Sequence, residues 1–483
     1  MTSPHDSYQS PLETRNASVE MRTLWSARRK FSLWRRIWLA LAESERDVGL
    51  PISEVQLSEL RAHLDDIDFD AAARYEATLR HDVMAHVHAL GDVAPQARPI
   101  IHLGMTSQDI VCNADILILR DALSVVARKL ARVVDRLGHF ASQYRDLPTL
   151  GYTHYQPAQP TTVGKRATLW AQDFTIALAD IESRRASLRL KGLRGATGTQ
   201  ASFLGLCDGD VNRVDRLEAL FVGRLGALAA WPDASCNDVC GQTYPRIVDA
   251  QLLSSLAIAA TAVHKSCNDL RLLASQKEVE EPFESEQIGS SAMPYKRNPM
   301  RCERATGLAR FVIALAQNGY DTAATQWFER TLDDSANRRL SIPEAFLALD
   351  GALDIMANVC GGLVVHERMI AMHLDAELPF MLSENLMLAA AKAGADRQEA
   401  HERIRVHSLA AGIAIKRDGA PNDLLDRLAK DPLFARVDLR AVCDARSATG
   451  RSAEQVDRFV HDVIEPIRRR YGALLKDNPI LKV

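Results

Sequence analysis

Residues 116–140 read ILILRDALSVVARKLARVVDRLGHF. Ile116, Leu119, Leu123, Val126, Leu130, Val133, Leu137 and Phe140 recur at spacings of three and four. A half-buried strand needs apolar side chains at every second position, whereas a 3.6-residue turn gathers every third or fourth on one stripe. The stretch is therefore predicted to be a long helix with a bundle seam. The same spacing returns at Trp170, Phe174, Ala177, Ile181 and Leu188, and at Leu252, Leu256, Ala259, Val263 and Leu270. It returns again at Phe346, Leu349, Leu353, Met356, Cys360 and Leu363. Few stretches alternate as strands do. The expected fold class is all-α, three helical domains around a central bundle of long helices. Seams this long are expected to pack partly against other subunits.

Upstream, helices are predicted over about residues 19–48, 53–64 and 70–90, after an irregular start, with Gly49 ending the first. In the third, His81, Ala85 and His88 stand at i, i+4 and i+7, the spacing of side chains that face a neighbouring helix. From about His366 shorter helical segments are separated by RDGAPND and RSATGRS. The expected division is an N-terminal domain (1–106), the central bundle (107–365) and a C-terminal domain (366–483).

With 483 residues, 47% hydrophobic and 25% charged, the chain has ample material for a core. A net charge of −3 gives no reason to expect nucleic acid or a membrane surface as partner. No apolar run is read as long enough to span a bilayer. The start, MTSPHDSYQSPLETRN, lacks the apolar stretch of a secretory signal. Eight scattered cysteines make no zinc pattern and are read as reduced thiols of a cytoplasmic protein.

Several segments interrupt the helices with reactive or anion-binding groups. ESEQIGSSAMPYKRNPMRCE (284–303) holds two adjacent hydroxyls, a Lys296–Arg297 pair and Glu303, between prolines that forbid regular structure. Such a loop is either a polar connection or a functional loop on a rigid support. HLGMTSQD (102–109) offers hydroxyls that either cap the next helix or receive a carboxylate at its N-terminus. TLGYTHYQPAQPTTVGKR (149–166) places His154 in a predicted loop, and GATGTQASF (195–203) is a turn able to hold an anion. WFERTLDDSANRR (327–339) combines arginines and a hydroxyl, which suits a phosphate or a salt-bridged helix start.

The string GSSAMPYKRNP (289–299) resembles the signature loop of the fumarase and aspartase superfamily, GSS-x-M-P-x-K-x-N-P. TSQD, GYTHYQPAQ, GQTYPR, the signature and ERTLDDSANRR, in that order over nearly the whole chain, resemble the adenylosuccinate lyase family in its animal-type branch. The resemblance implies anti β-elimination of fumarate from adenylosuccinate or SAICAR in purine biosynthesis, no metal or other cofactor, and a homotetramer with shared active sites. It implies Ser290 as general base, His154 as general acid, Glu303 as that histidine's partner and Lys296 beside the substrate carboxylates. Arg80, His81, Asp82, Thr106, Ser107, Thr153 and Gln242 match substrate-binding positions. Arg15, Asn16, Arg304, Arg330, Ser335 and Arg339 match nucleotide-binding ones. Asn16 stands where the animal-type pattern has tyrosine, and residues 228–240 carry no assignable role. The alternatives are another lyase of the superfamily, such as one acting on argininosuccinate, or a non-catalytic scaffold.

Overall fold

The structure is a computed structural model that describes residues 6–476 and 481; the first five residues of the N-terminal stretch lie outside it. After a short turn at Leu12–Asn16 come α1 (Val19–Leu24), α2 (Ala27–Asp47), α3 (Glu54–Ala62), α4 (Phe69–Leu79) and α5 (Asp82–Val93). The single helices expected over 19–48 and 70–90 are each broken. Ser26 starts a new helix by accepting the Arg29 N–H at 3.2 Å. Arg80 adopts a left-handed φ of 54°, and His81 then caps α5.

Five helices of 25 residues or more follow: α6 (Ser107–Gln143), α7 (Val163–Ser187), α10 (Ile247–Ser275), α11 (Met300–Ala324) and α12 (Asp333–Gly361). Between them lie β1 (Pro148–Thr153), β2 (Gln156–Thr162), α8 (Ala201–Leu206), α9 (Val211–Leu228), β3 (Val279–Glu280) and β4 (Val364–Val365). Contacts define the directions. Arg338 of α12 meets Asp115, and Lys129 of α6 lies 2.5 Å from Asp350 and 2.6 Å from Asp354, so α6 and α12 run parallel. The Cys267–Met356 contact and the Arg338–Asp249 pair align α10 with both. α7 runs against α10, because Trp170 reaches Asp269 while Arg184 reaches Gln251. α11 also runs against α10, with Gly319 packed on Ala250. The bundle has one end built from the starts of α6, α10 and α12, and an opposite end built from their C-termini.

The seam residues read from sequence are core residues. Ile116, Leu123, Leu130, Trp170, Phe174, Leu252, Val263, Phe346 and Leu353 are all buried. By length and composition α10 is apolar enough to cross a membrane, contrary to the sequence reading. Its Leu252, Leu256, Ala259 and Val263 are enclosed by the bundle, so the apolarity serves packing. Beyond α12 the chain forms shorter helices, and Leu386, Ile404, Leu424 and Phe434 make a separate small core. Val456, Ile464 and Ile467 then return to the main core.

Buried in α2 is Glu45, with neither carboxylate oxygen hydrogen-bonded. Burial pushes this carboxyl up to about 9. The folded chain keeps a proton that the unfolded chain releases near pH 4.5, so stability from this group falls as pH rises from 4.5 towards 9. Glu45→Gln removes the titration. It is expected to be more stable than the parent by on the order of 3 kcal/mol at pH 7, with the gap closing towards pH 4.5. Urea unfolding at pH 5 and pH 7 checks this, and a gap independent of pH would refute it.

Candidate active site

The 284–303 segment folds into a closed loop. Asn298 Nδ2 donates to the Gly289 carbonyl at 2.8 Å, and Lys296 N–H donates to Met293 O at 3.0 Å. A Cβ on Gly289 would lie 2.0 Å from Lys296 O, so only glycine permits this crossing. The loop is anchored below by the buried Glu281, whose oxygens accept the Arg301 and Cys302 N–H groups at 2.9 Å, capping α11. Within the loop, Ser290 Oγ accepts N–H from Met293 at 3.1 Å and from Ala292 at 3.4 Å. Lys296 is exposed, and Arg297 sits over the Phe283 ring at 5.3 Å. Glu303 occupies the first turn of α11. Behind it, burial and the neighbouring Arg15 and Arg301 charges lower Arg304, marking a cation-rich patch that includes two expected nucleotide contacts.

His154 lies not in an irregular loop, as expected, but at the tip of a β-hairpin. Thr153 pairs with Gln156, leaving His154 and Tyr155 as a two-residue turn with φ of 52° and 56°. Such turns favour glycine and asparagine, so this backbone is strained. Tyr152 and Tyr155 stack at 5.7 Å, and both hydroxyls hydrogen-bond Gln276 at the end of α10 at 3.3 Å. The imidazole is thus held out on a braced tip, exposed, beside exposed Thr153. The expected His154–Glu303 pair is not formed within one chain. Glu303 lies 3.9 Å from Arg271 instead, although the hairpin tip is braced on Gln276 at the same end of α10.

Most of the remaining expected residues gather at the opposite end of the bundle, whereas Asn16 packs against Gly351 in the second half of α12. His81 Nδ1 accepts the Met84 N–H at 3.3 Å, so the neutral ring carries its proton on Nε2, 3.1 Å from Ser107 Oγ. That contact leaves the Ser107 proton available to a ligand. Thr106 N–H donates to Asp109 Oδ2 at 2.8 Å. Asp109 is fully buried, paired with the fully buried Lys191, and accepts the Arg194 and Gly195 N–H groups at 3.1 and 3.2 Å. It ties the 195–203 turn to the start of α6. Gln242 joins that turn to the 327–330 segment, donating from Nε2 to Ala196 O at 3.1 Å and from its N–H to Glu329 O at 3.0 Å. Arg330 pairs with Asp334 at 2.8 Å, beside half-buried Ser335. Arg338 and Arg339 part company: Arg338 is buried against Asp249 at 2.6 Å, while exposed Arg339 reaches Asp82 at 2.7 Å. Burial opposes charge on Asp82, yet Arg339 and Lys30 hold it below the usual carboxylate range. Arg80 is exposed, and Asn16 Nδ2 donates locally to Pro11 O at 2.9 Å.

Sequence reasoning missed the buried Asp109–Lys191 pair and the buried Arg246–Asp334 pair, 2.7 Å apart, which underlie this end. Asp109, three residues after Thr106, was legible as a helix cap; the others carry no local signal. Ser290, Lys296, Glu303, Thr153 and His154 are separated from Ser107, Gln242 and Arg330 by the length of α10. Its 29 residues span about 43 Å. One chain does not bring the two sets together.

The bundle carries a serine loop at one end and a cluster of arginines and hydroxyls at the other, and the class of protein this belongs to is that of the lyases. A family model described as Lyase matches residues 20–314, and one described as Adenylosuccinate lyase C-terminus matches residues 379–459. The chain is 44% identical to an adenylosuccinate lyase of Saccharomyces cerevisiae, covering 99% of this chain and 98% of the relative. It is 45% identical to one of Schizosaccharomyces pombe, with the same coverage. A solved 3-carboxy-cis,cis-muconate lactonizing enzyme from Pseudomonas putida superimposes with a TM-score of 0.81 at 23% identity, over 96% of this chain and 99% of that one, and shares the fold. The chain belongs to the adenylosuccinate lyase family, within the fumarase and aspartase superfamily.

Proposed function

We propose that this protein cleaves adenylosuccinate to fumarate and AMP by anti β-elimination, and SAICAR to AICAR by the same chemistry, in purine nucleotide biosynthesis. Ser290 Oγ removes the Cβ proton of the succinyl group, and the electron pair passes into the adjacent carboxylate as an aci-carboxylate. The C–N bond then breaks as His154 delivers a proton to the leaving nitrogen, releasing fumarate. The observation that carries this reading is the hydrogen bonding of Ser290: two backbone N–H groups aimed at Oγ stabilise the alkoxide that a serine base requires. Lys296, exposed on the same loop, supplies charge for the dianionic intermediate, and Glu303 orients His154 across a subunit boundary.

Arg15, Asn16, Arg304, Arg330, Ser335 and Arg339 hold the nucleotide in this reading; Arg80, His81, Asp82, Thr106, Ser107, Thr153 and Gln242 hold the remainder of the substrate. The separation of the two sets supports a homotetramer in which segments of different subunits complete each site. Exposed Leu169, Ile176, Ile258 and Phe311 on the long helices support packing between copies. Division into domains 1–106, 107–365 and 366–483, and a cytoplasmic location, belong to the same proposal; eight free cysteines support the location.

The test is purified protein with adenylosuccinate, assayed for equimolar fumarate and AMP; correctly assembled protein without turnover would sink the reading. Mixing Ser290→Ala with His154→Ala subunits is expected to restore part of the activity that each lacks, and no recovery after verified exchange would refute shared sites. Arg339→Ala is expected to raise KM about tenfold with little change in kcat, because a charge-assisted contact to phosphate is lost in ground and transition state alike. An unchanged KM would remove Arg339 from the nucleotide site.

A further inference from the structure

His154 and Tyr155 take the left-handed region in succession, at φ of 52° and 56°, in the two-residue turn between Thr153 and Gln156. Asparagine and glycine tolerate that backbone, whereas residues with larger side chains keep it only where contacts from outside the turn over-determine it. The base of the hairpin has such contacts, because Leu150 is buried against Leu374 and Leu378 of the helix Glu367–Met381. The tip has no such packing: Thr153, His154, Tyr155 and Gln156 are all exposed. What reaches it is Gln276, the half-buried C-terminal cap of α10. Gln276 Oε1 accepts the Tyr152 hydroxyl at 3.3 Å, and Nε2 donates to the Tyr155 hydroxyl at 3.3 Å. The two rings stack at 5.7 Å and 25°, which closes the clamp. Among the described residues no other side chain outside the hairpin hydrogen-bonds residues 152–156. Both ends of one amide are spent on the two tyrosines that bracket Thr153 and His154.

We infer that Gln276 is a positioning residue for His154, its amide holding the strained turn in the arrangement that presents the imidazole to the leaving nitrogen. This rests on the reading of His154 as the general acid. A tip released from Gln276 relaxes towards ordinary φ values and carries the imidazole off its line. A misplacement of about 1 Å costs on the order of a hundredfold in rate. The nucleotide is held by other segments, so AMP binding is spared.

Gln276→Met and Gln276→Glu, as full-length protein, separate the hydrogen bonds from the packing. Methionine has nearly the same shape and makes neither bond, while a carboxylate accepts from both tyrosine hydroxyls. In Gln276→Met, kcat for adenylosuccinate is expected to fall at least about tenfold with AMP affinity within about twofold of the parent. Gln276→Glu is expected to keep kcat within about threefold. Its kcat–pH profile should also extend to higher pH, because a carboxylate beside the tip favours the charged imidazole that the acid step needs. Amide exchange over residues 150–160 is expected to quicken in Gln276→Met and not in Gln276→Glu, at unchanged Tm. Parental kcat and exchange in the methionine variant, or equal loss in both variants, would overturn the inference. So would a methionine variant that loses Tm and AMP binding together, which would make Gln276 a general support. A parent inactive on adenylosuccinate overturns the reading of His154 alone, since the exchange comparison still decides whether Gln276 clamps the tip.

Discussion

Ser290→Ala is expected to lower kcat by roughly 10³-fold or more while AMP binding stays close to that of the parent. The loop that carries Ser290 is held by contacts the hydroxyl does not make: the Asn298 side chain on Gly289 O, the Gly289–Lys296 crossing, and the Glu281 cap on α11. Removing one oxygen therefore deletes the proton acceptor without unfolding its support. It also leaves the Met293 and Ala292 N–H groups without their acceptor, on an exposed segment where water replaces it. The measurement is single-turnover fumarate release beside AMP binding by calorimetry. Near-normal turnover would remove Ser290 as the base, and joint loss of turnover and AMP binding would point to a collapsed loop instead.

The second large effect is on stability. Lys191 and Asp109 are both fully enclosed, and each is the other's ion-pair partner. Lys191→Met leaves the Asp109 carboxylate with only the Thr106, Arg194 and Gly195 N–H groups. Breaking a buried pair by removing one partner costs about 3–5 kcal/mol, because an uncompensated charge stays behind. The expected result is a clear fall in Tm, together with faster amide exchange at the start of the 195–203 turn, which Asp109 ties to α6 through the Arg194 and Gly195 N–H groups. A Tm within about 2 °C of the parent would show that the N–H groups suffice for Asp109.

The family, the order of its motifs and the all-α class could be read from the chain because each rests on local patterns. The 116–140 seam is a periodicity of neighbouring residues, and a buried stripe at that period has one regular solution. GSSAMPYKRNP is contiguous, so its residues needed no fold to be recognised together. Local pattern failed at Ser26 and Arg80, where a cap and a left-handed residue break predicted helices. It failed again at the 148–162 hairpin, whose turn residues, His154 and Tyr155, are not ones that normally announce such a turn.

Sequence by itself determined a bundle of long helices, a serine-bearing loop hung between two of them, and the residue types available for elimination chemistry. Tertiary structure alone decided that Arg338 is buried structure while exposed Arg339 reaches Asp82, that Asp109 closes on Lys191, and that the serine loop stands at the opposite end of the bundle from Ser107, Gln242 and Arg330. The reason is range. Helical period and loop composition are set within a few residues, whereas burial of a charge and the partner that permits it depend on segments dozens to hundreds of positions away.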